Sequence, residues 1–303
     1  MNDRTLIWPT FYIVGAVKCG TTSLWAHLKK HPQVFLPELK EPHYFLGPQP
    51  PLQDGDEVVL DHCAGYLERY QSLYRPADGY PAIGDASPSY LWEETSARSI
   101  YAACPKARII ISLRDPVMRA HSRYLMNVTE LGTESLPFHE ALLKDRERAR
   151  KGWWTSRLYV ECGLYYAQVR RYLETFGREQ VLVILFDELA KSPEAFYLKV
   201  TRHIGIGPLQ ADATDLSLAR NQYRKARLPS VQGFVRKVTT EKLRQKLAPA
   251  PLRQLLDPLR FERKKPEIDE ESRRYLQQIF EPDIAQLEDL LGRKLPELRK
   301  SWI

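Results

Sequence analysis

The residues best placed to do chemistry lie in one short run, Gly15-Ala-Val-Lys18-Cys19-Gly20-Thr21-Thr22-Ser23, which follows the apolar segment Phe-Tyr-Ile-Val. A strand entering a glycine-bounded turn and then a helix presents several backbone N–H groups at a dipole end that favours anions. Thr21, Thr22 and Ser23 add hydroxyl donors. The pattern suits a phosphate-like ligand, although an ordinary strand-to-helix turn capped by threonine would also satisfy it. The spacing approaches the nucleotide-binding GxxxxGK[ST], but Thr21 stands where that motif has lysine, and the lysine has moved inside the loop as Lys18. An ATPase needs the lysine on its β- and γ-phosphates together with a held Mg²⁺. The displacement argues against that chemistry.

A second candidate loop begins at Arg114-Asp115-Pro116, directly after Arg108-Ile-Ile-Ile-Ser-Leu113. Ser122 follows eight residues after Arg114, two turns into a helix opened by Pro116. A guanidinium fork and a hydroxyl are natural phosphate ligands, and a structural ion pair is the alternative for an isolated Arg-Asp-Pro.

Both loops need strands to hold them. Apolar runs at Phe11–Val14, Ala82–Gly84, Arg108–Leu113 and Val181–Phe186 read as buried strands, with a short one at Val34–Leu36. Helical patterns at Thr22–Lys30, Thr95–Ala103, Val117–Val128 and Leu164–Phe176 alternate with them, and a last helix spans Glu270–Leu291 before Gly292. The expected fold class is α/β: a P-loop-like parallel β-sheet flanked by helices on both faces, in a single domain over residues 1–303 with a basic helical C-terminal elaboration. Ligands of such sheets bind beyond the carboxyl ends of the strands, where both loops lie. Residues 46–58, rich in Pro, Gly and Asp, read as a flap.

The charge is uneven. Residues 220–265 carry fourteen Lys/Arg against three Asp/Glu, a local net of +11 in a chain of net +7, so the remainder is about −4. Such a run is either a solvated surface or a cap that concentrates anions; no nucleic-acid motif accompanies it, and nucleic acid is not expected as a partner. No segment approaches the roughly 20 apolar residues of a membrane span. Cys19, Cys63, Cys104 and Cys162 lie far apart without metal-ligand spacing, and His27, His31, His62, His139 and His203 show no partner pattern. Reduced thiols, no metal and no secretory leader at Met1–Thr10 give a cytoplasmic expectation.

Together the two loops resemble the sulfotransferase family that uses 3′-phosphoadenosine 5′-phosphosulfate, in particular its heparan-sulfate-like and bacterial branch. The closing stretch from Phe280-Glu-Pro-Asp through Gly292 to Trp302 is also similar to bacterial members. The resemblance implies that Lys18, Cys19, Gly20, Thr21, Thr22 and Ser23 cradle the 5′-phosphosulfate and that Arg114 and Ser122 take the 3′-phosphate. Two separated phosphate sites fit one donor with a phosphate at each end, and its product would be 3′-phosphoadenosine 5′-phosphate. Lys40-Glu41-Pro42-His43-Tyr44-Phe45 resembles the family's KE-x-H-F-F stretch. This implies Glu41 as catalytic base, Lys18 as stabiliser of the leaving group and His43 as auxiliary base or acceptor-orienting group. Asp85-Ala86-Ser87-Pro88-Ser89-Tyr90 is similar to the family's EKTPSYF segment near the acceptor, with Ala86 in place of the heparan enzymes' lysine, which argues against a heparan-like substrate. The resemblance implies Asp85 as an acceptor contact, and a helix or turn cap is the alternative. Arg224 and Arg227 are the expected late basic contacts to the donor's 3′ side, although the heparan enzymes' KGR pattern is not reproduced there. Tyr165 and Tyr166 match a recurrent bacterial GLYY segment and read as core. The acceptor would be a hydroxyl-bearing carbohydrate, lipid, small molecule or carrier-tethered chain. A nucleotide kinase or NTPase and a non-enzymatic polyanion-binding module are the other readings of these features.

Overall fold

In a computed structural model, the described residues are 6–46, 65–153, 155–208, 225–226, 261–262 and 265–302. Five parallel strands, β1 (Phe11–Gly15), β2 (Val34–Phe35), β3 (Ala82–Asp85), β4 (Arg108–Leu113) and β5 (Val181–Leu185), form one sheet in the order β2-β3-β1-β4-β5. β1 is buried along its whole length and β4 at every residue after Arg108. That is why both read as unbroken apolar runs rather than alternating ones. The chain leaves β1 towards β2 and β3 on one side and later towards β5 on the other, so the strand order reverses between β1 and β4. The crevice beyond their carboxyl ends is where an open α/β sheet binds its ligand.

Helices cover both faces: α1 (Thr21–Leu28), α2 (Leu67–Tyr74), α3 (Ser96–Ala103), α4 (Pro116–Met126), α5 (Phe138–Leu143), α6 (Asp145–Arg150), α7 (Tyr165–Phe176), α8 (Phe186–Lys191), α9 (Pro193–His203) and α10 (Glu270–Leu291). One core layer packs Tyr12, Ile109, Ile111, Val117, Tyr165, Phe280 and their neighbours. The other packs Phe11, Ile13, Leu24, Ile110 and Val200. Alternate residues of β1 and β4 thus point into opposite layers.

The expected strands and helices are present with boundaries moved by one or two residues. Phe186 starts α8 instead of ending β5, because Glu188 reaches back to the Leu185 backbone N–H at 3.3 Å and opens a helix there. α4 gives way at Met126 to a π turn, Asn127–Leu131, where the buried Asn127 amide donates to Ser156 O at 2.6 Å and to Tyr159 Oη at 2.8 Å. α10 keeps its expected limits, capped by Asp269 onto the Ser272 N–H at 2.7 Å and closed by Gly292 at φ 66°. Its Asp283 accepts from the Tyr165 and Tyr166 N–H groups at 2.7 and 3.2 Å, tying α10 to the start of α7. The 46–58 flap beyond Leu46, Cys63, Arg224, Arg227 and nearly all of the 220–265 segment lie outside the described residues.

Candidate functional site

The two loops meet. A cleft of about 180 Å³ is lined by Lys18, Gly20, Thr21, Thr22 and Ser23 from the loop after β1 and by Arg114 and Ser122 from the loop and helix after β4. Glu41 comes from the turn after β2 and Pro88 from the turn after β3, and Val17, Arg123, Met126 and Phe186 complete the described wall. Of the six residues expected to cradle the phosphosulfate, Cys19 turns away. It is fully buried, its carbonyl accepts from Ser112 Oγ at 2.7 Å, and its thiol faces Tyr165 Oη at 3.8 Å.

The loops are clamped by their neighbours. Gly20 caps α1 at φ 81°, and a Cβ there would lie 2.3 Å from the Phe186 ring. Only glycine meets both demands. Phe186 also stacks beneath the Arg114 guanidinium, 5.2 Å from ring centroid to charge. Asp115 caps α4 through the Val117 and Met118 N–H groups, at 2.9 and 3.1 Å, and accepts from the Ser301 N–H at 2.8 Å. Tyr165, expected as core, is buried, and its hydroxyl donates to the Arg114 carbonyl at 2.9 Å. It therefore bridges the two loops from below.

Three non-glycine residues have left-handed backbones among the described residues: Lys18 at φ 68°, Glu41 at φ 63° and His43 at φ 59°. Such conformations cost about 1–3 kcal/mol each and cluster where a side chain must be aimed. These are the three residues expected to do the chemistry.

Electrostatics give the cleft a sign. Burial presses the Lys18 ammonium below its ordinary pKa, and Arg123 and Arg114 push the same way against Glu130 and Glu41. Lys18 Nζ rests 3.4 Å from Met126 Sδ. Lys265, the described end of the basic segment, is lowered to about 8 by burial and then by Arg114 and Lys18. Among the described residues, no ion pair joins Lys18, Arg114 or Arg123 to a carboxylate. Three cations against one lining carboxylate fit an anionic ligand with more than one charged group.

Glu41 is the one carboxylate among the described residues that line the cleft. Its oxygens are held by Lys40 on one side and by His43 Nε2, 3.6 Å away, on the other. Burial works to raise its pKa, but Lys40 and His43 outweigh burial and hold it well below the usual carboxylate range. His43 is buried at 1% exposure and does not line the cleft. It stands behind Glu41.

Asp85 does not reach the cleft. The expected acceptor contact is fully buried, and its oxygens accept from Ser87 Oγ at 2.7 Å, Tyr70 Oη at 2.9 Å and Tyr90 Oη at 3.1 Å. Those hydroxyls in turn accept from the main chain of the Glu41 turn: Ser87 Oγ from the His43 N–H at 3.2 Å, and Tyr90 Oη from the Phe45 N–H at 3.3 Å. Asp85 therefore anchors the turn that carries Glu41 and His43. Burial pushes its carboxyl up to about 6 against the three hydroxyl donors. The native state thus keeps a proton that the unfolded chain releases near its model value of 3.8. Stability due to this group falls as pH rises from about 4 to about 6, by roughly 3 kcal/mol. In Asp85→Asn that part of the slope is expected to vanish, at a fixed cost of about 1–3 kcal/mol for the lost acceptor. Urea unfolding at pH 4.5 and 7 measures both, and an unchanged slope would place the titration elsewhere.

A profile of the sulfotransferase family matches residues 46–210. The solved sulfotransferase from Alicyclobacillus acidocaldarius is 32% identical, covering 97% of this chain and 99% of that one at a TM-score of 0.74. The chain belongs to the sulfotransferase family. Among curated sulfotransferases, it is similar to carbohydrate sulfotransferase 15 of Mus musculus, 28% identical over 249 residues, covering 66% of this chain and 44% of that protein. Heparan sulfate glucosamine 3-O-sulfotransferase 6 of Homo sapiens is 29% identical over 210 residues, covering 68% and 54%. The chain thus spans about half the length of the curated sulfotransferases it matches.

Sequence reasoning missed Arg123, Met126, Phe186, Pro88 and Lys265. Lys265 is one of many cations in the basic run, Phe186 closes an apolar run that reads as a strand, and Arg123 follows Ser122 with nothing in its spacing to mark it. No three His, Cys, Asp or Glu side chains are grouped to hold a metal among the described residues, and no helix there is long and apolar enough to cross a membrane.

Proposed function

We propose that this sulfotransferase moves a sulfuryl group from 3′-phosphoadenosine 5′-phosphosulfate to an acceptor hydroxyl. The observation that carries the reading is one cleft holding Lys18, Arg114 and Arg123 with Ser122 and the α1 N-terminus, and, among its described lining, a single carboxylate, Glu41. The bound donor supplies the sulfuryl group and a phosphate leaving group. Backbone N–H groups and hydroxyls of Gly20, Thr21, Thr22 and Ser23 bind its 5′ end. Arg114 and Ser122, with Lys265 nearby, bind its 3′-phosphate. Glu41 takes the acceptor proton as the acceptor O–S bond forms. The bond between sulfur and the bridging oxygen breaks with its electron pair on that oxygen, and Lys18 stabilises the charge arriving there. His43 holds Glu41 in place. The product is 3′-phosphoadenosine 5′-phosphate.

A carbohydrate hydroxyl is the first acceptor class to test, supported by the similarity to a carbohydrate sulfotransferase and a heparan sulfate glucosamine 3-O-sulfotransferase. The thiols of Cys19, Cys104 and Cys162, each buried and free, support a reducing compartment such as the cytoplasm. Calorimetry without metal is expected to show one saturable site for 3′-phosphoadenosine 5′-phosphate and none of comparable affinity for ATP. ATP binding that requires Mg²⁺, with no binding of the bisphosphate, would return the cleft to a nucleotide kinase or NTPase.

A further inference from the structure

Arg123 is buried at 8% exposure yet lines the cleft. It follows Ser122 on α4, so its side chain leaves the helix about 100° further round. Its Nε is fixed by the Ser156 carbonyl at 2.9 Å. Its Nη1 lies 3.8 Å from Met126 Sδ, the same sulfur that Lys18 Nζ approaches at 3.4 Å. Two cations from different elements therefore converge on one neutral thioether. Arg123 and Glu41 line the same cleft. Arg123 thus shares a sulfur contact with Lys18 and a cleft with Glu41, the two groups that flank the transfer in the donor reading.

We propose that Arg123 is a further catalytic residue whose guanidinium binds the non-bridging oxygens of the sulfonate in transit. The inference rests on the donor reading given above and adds a ligand that the two phosphate loops do not provide. Between the acceptor oxygen and the bridging oxygen, a transferring sulfonate presents three oxygens sideways. A planar cation anchored at Nε matches them through its remaining N–H donors. In the related phosphoryl transfers, a cation placed on the equatorial oxygens contributes a large part of the acceleration. Lys18 then serves the bridging oxygen and Arg123 the sulfonate, and neither duplicates the other. Met126 spaces the two cations without neutralising either.

The test compares two ligands that differ only in the sulfonate, and it needs no acceptor. Affinities for 3′-phosphoadenosine 5′-phosphosulfate and for 3′-phosphoadenosine 5′-phosphate are measured by calorimetry in the cold for wild type, Arg123→Gln and Arg123→Lys. In Arg123→Gln the phosphosulfate is expected to bind about 10-fold or more weakly, with the bisphosphate within about threefold of wild type; Arg123→Lys is expected to recover part of the loss. Retained bisphosphate binding shows that the variant is folded. If both ligands weaken together, or neither does, the assignment of Arg123 to the sulfonate is overturned while the donor reading stands. If wild type binds neither ligand, the donor reading itself fails.

Discussion

Replacing Glu41 with glutamine is expected to lower turnover about 10²–10⁴-fold and to leave the affinity for 3′-phosphoadenosine 5′-phosphate within about threefold. Glutamine keeps the shape and one acceptor oxygen but cannot take the acceptor's proton. A carboxylate held as low as Glu41 is a weak base in the ligand-free cleft, since Lys40 and His43 stabilise its charged form. Donor binding corrects this in sign: phosphates arriving beside Lys18 and Arg114 bring negative charge towards Glu41 and raise its proton affinity. Turnover should therefore keep its base form well into the acid range, with the acid limb of the pH profile of kcat lying above that of the free enzyme's kcat/KM. Replacing His43 with asparagine should lower kcat less than loss of Glu41 does, because His43 holds Glu41 from behind and does not line the cleft. If Glu41→Gln turned over normally with donor binding intact, the base would have to be another group.

Replacing Lys18 with methionine is expected to lower kcat about 10²–10³-fold, the usual cost of removing a preorganised group from the site of developing charge. Ground-state binding should suffer less. In the free protein Lys18 is repelled by Arg123 and Arg114, so its removal relieves the ligand-free cleft and offsets part of the lost attraction. A fall of about tenfold or less in affinity for the bisphosphate is expected beside the much larger fall in kcat. Parallel losses in both would make Lys18 a binding group alone.

The parts of this site written legibly in the sequence are those that use backbone and local spacing. A glycine-bounded turn after an apolar run and an Arg-Asp-Pro turn eight residues ahead of Ser122 each specify a local geometry. The parallel sheet then brings them together, because β1 and β4 are neighbours. α10 was legible for the same reason, having its own cap, apolar stripe and stop. What was not legible depends on contacts far apart in the chain. Asp85 looks from its neighbours like an acceptor contact, and only the hydroxyl of Tyr70, on α2, and the packing of Tyr90 show that it is an internal anchor. Arg123 becomes conspicuous once Met126 and Lys18 are seen to share a contact. Phe186 ends one strand in sequence but, in space, dictates a glycine at position 20.

The reaction is tested most directly with donor carrying a labelled sulfuryl group, incubated with wild-type protein and a panel of carbohydrates bearing free hydroxyls. The expected result is label in the carbohydrate and an equal amount of 3′-phosphoadenosine 5′-phosphate released, both lost in Glu41→Gln and in Lys18→Met. Bisphosphate and inorganic sulfate released at the same rate with and without any hydroxyl acceptor, and in both variants, would contradict it.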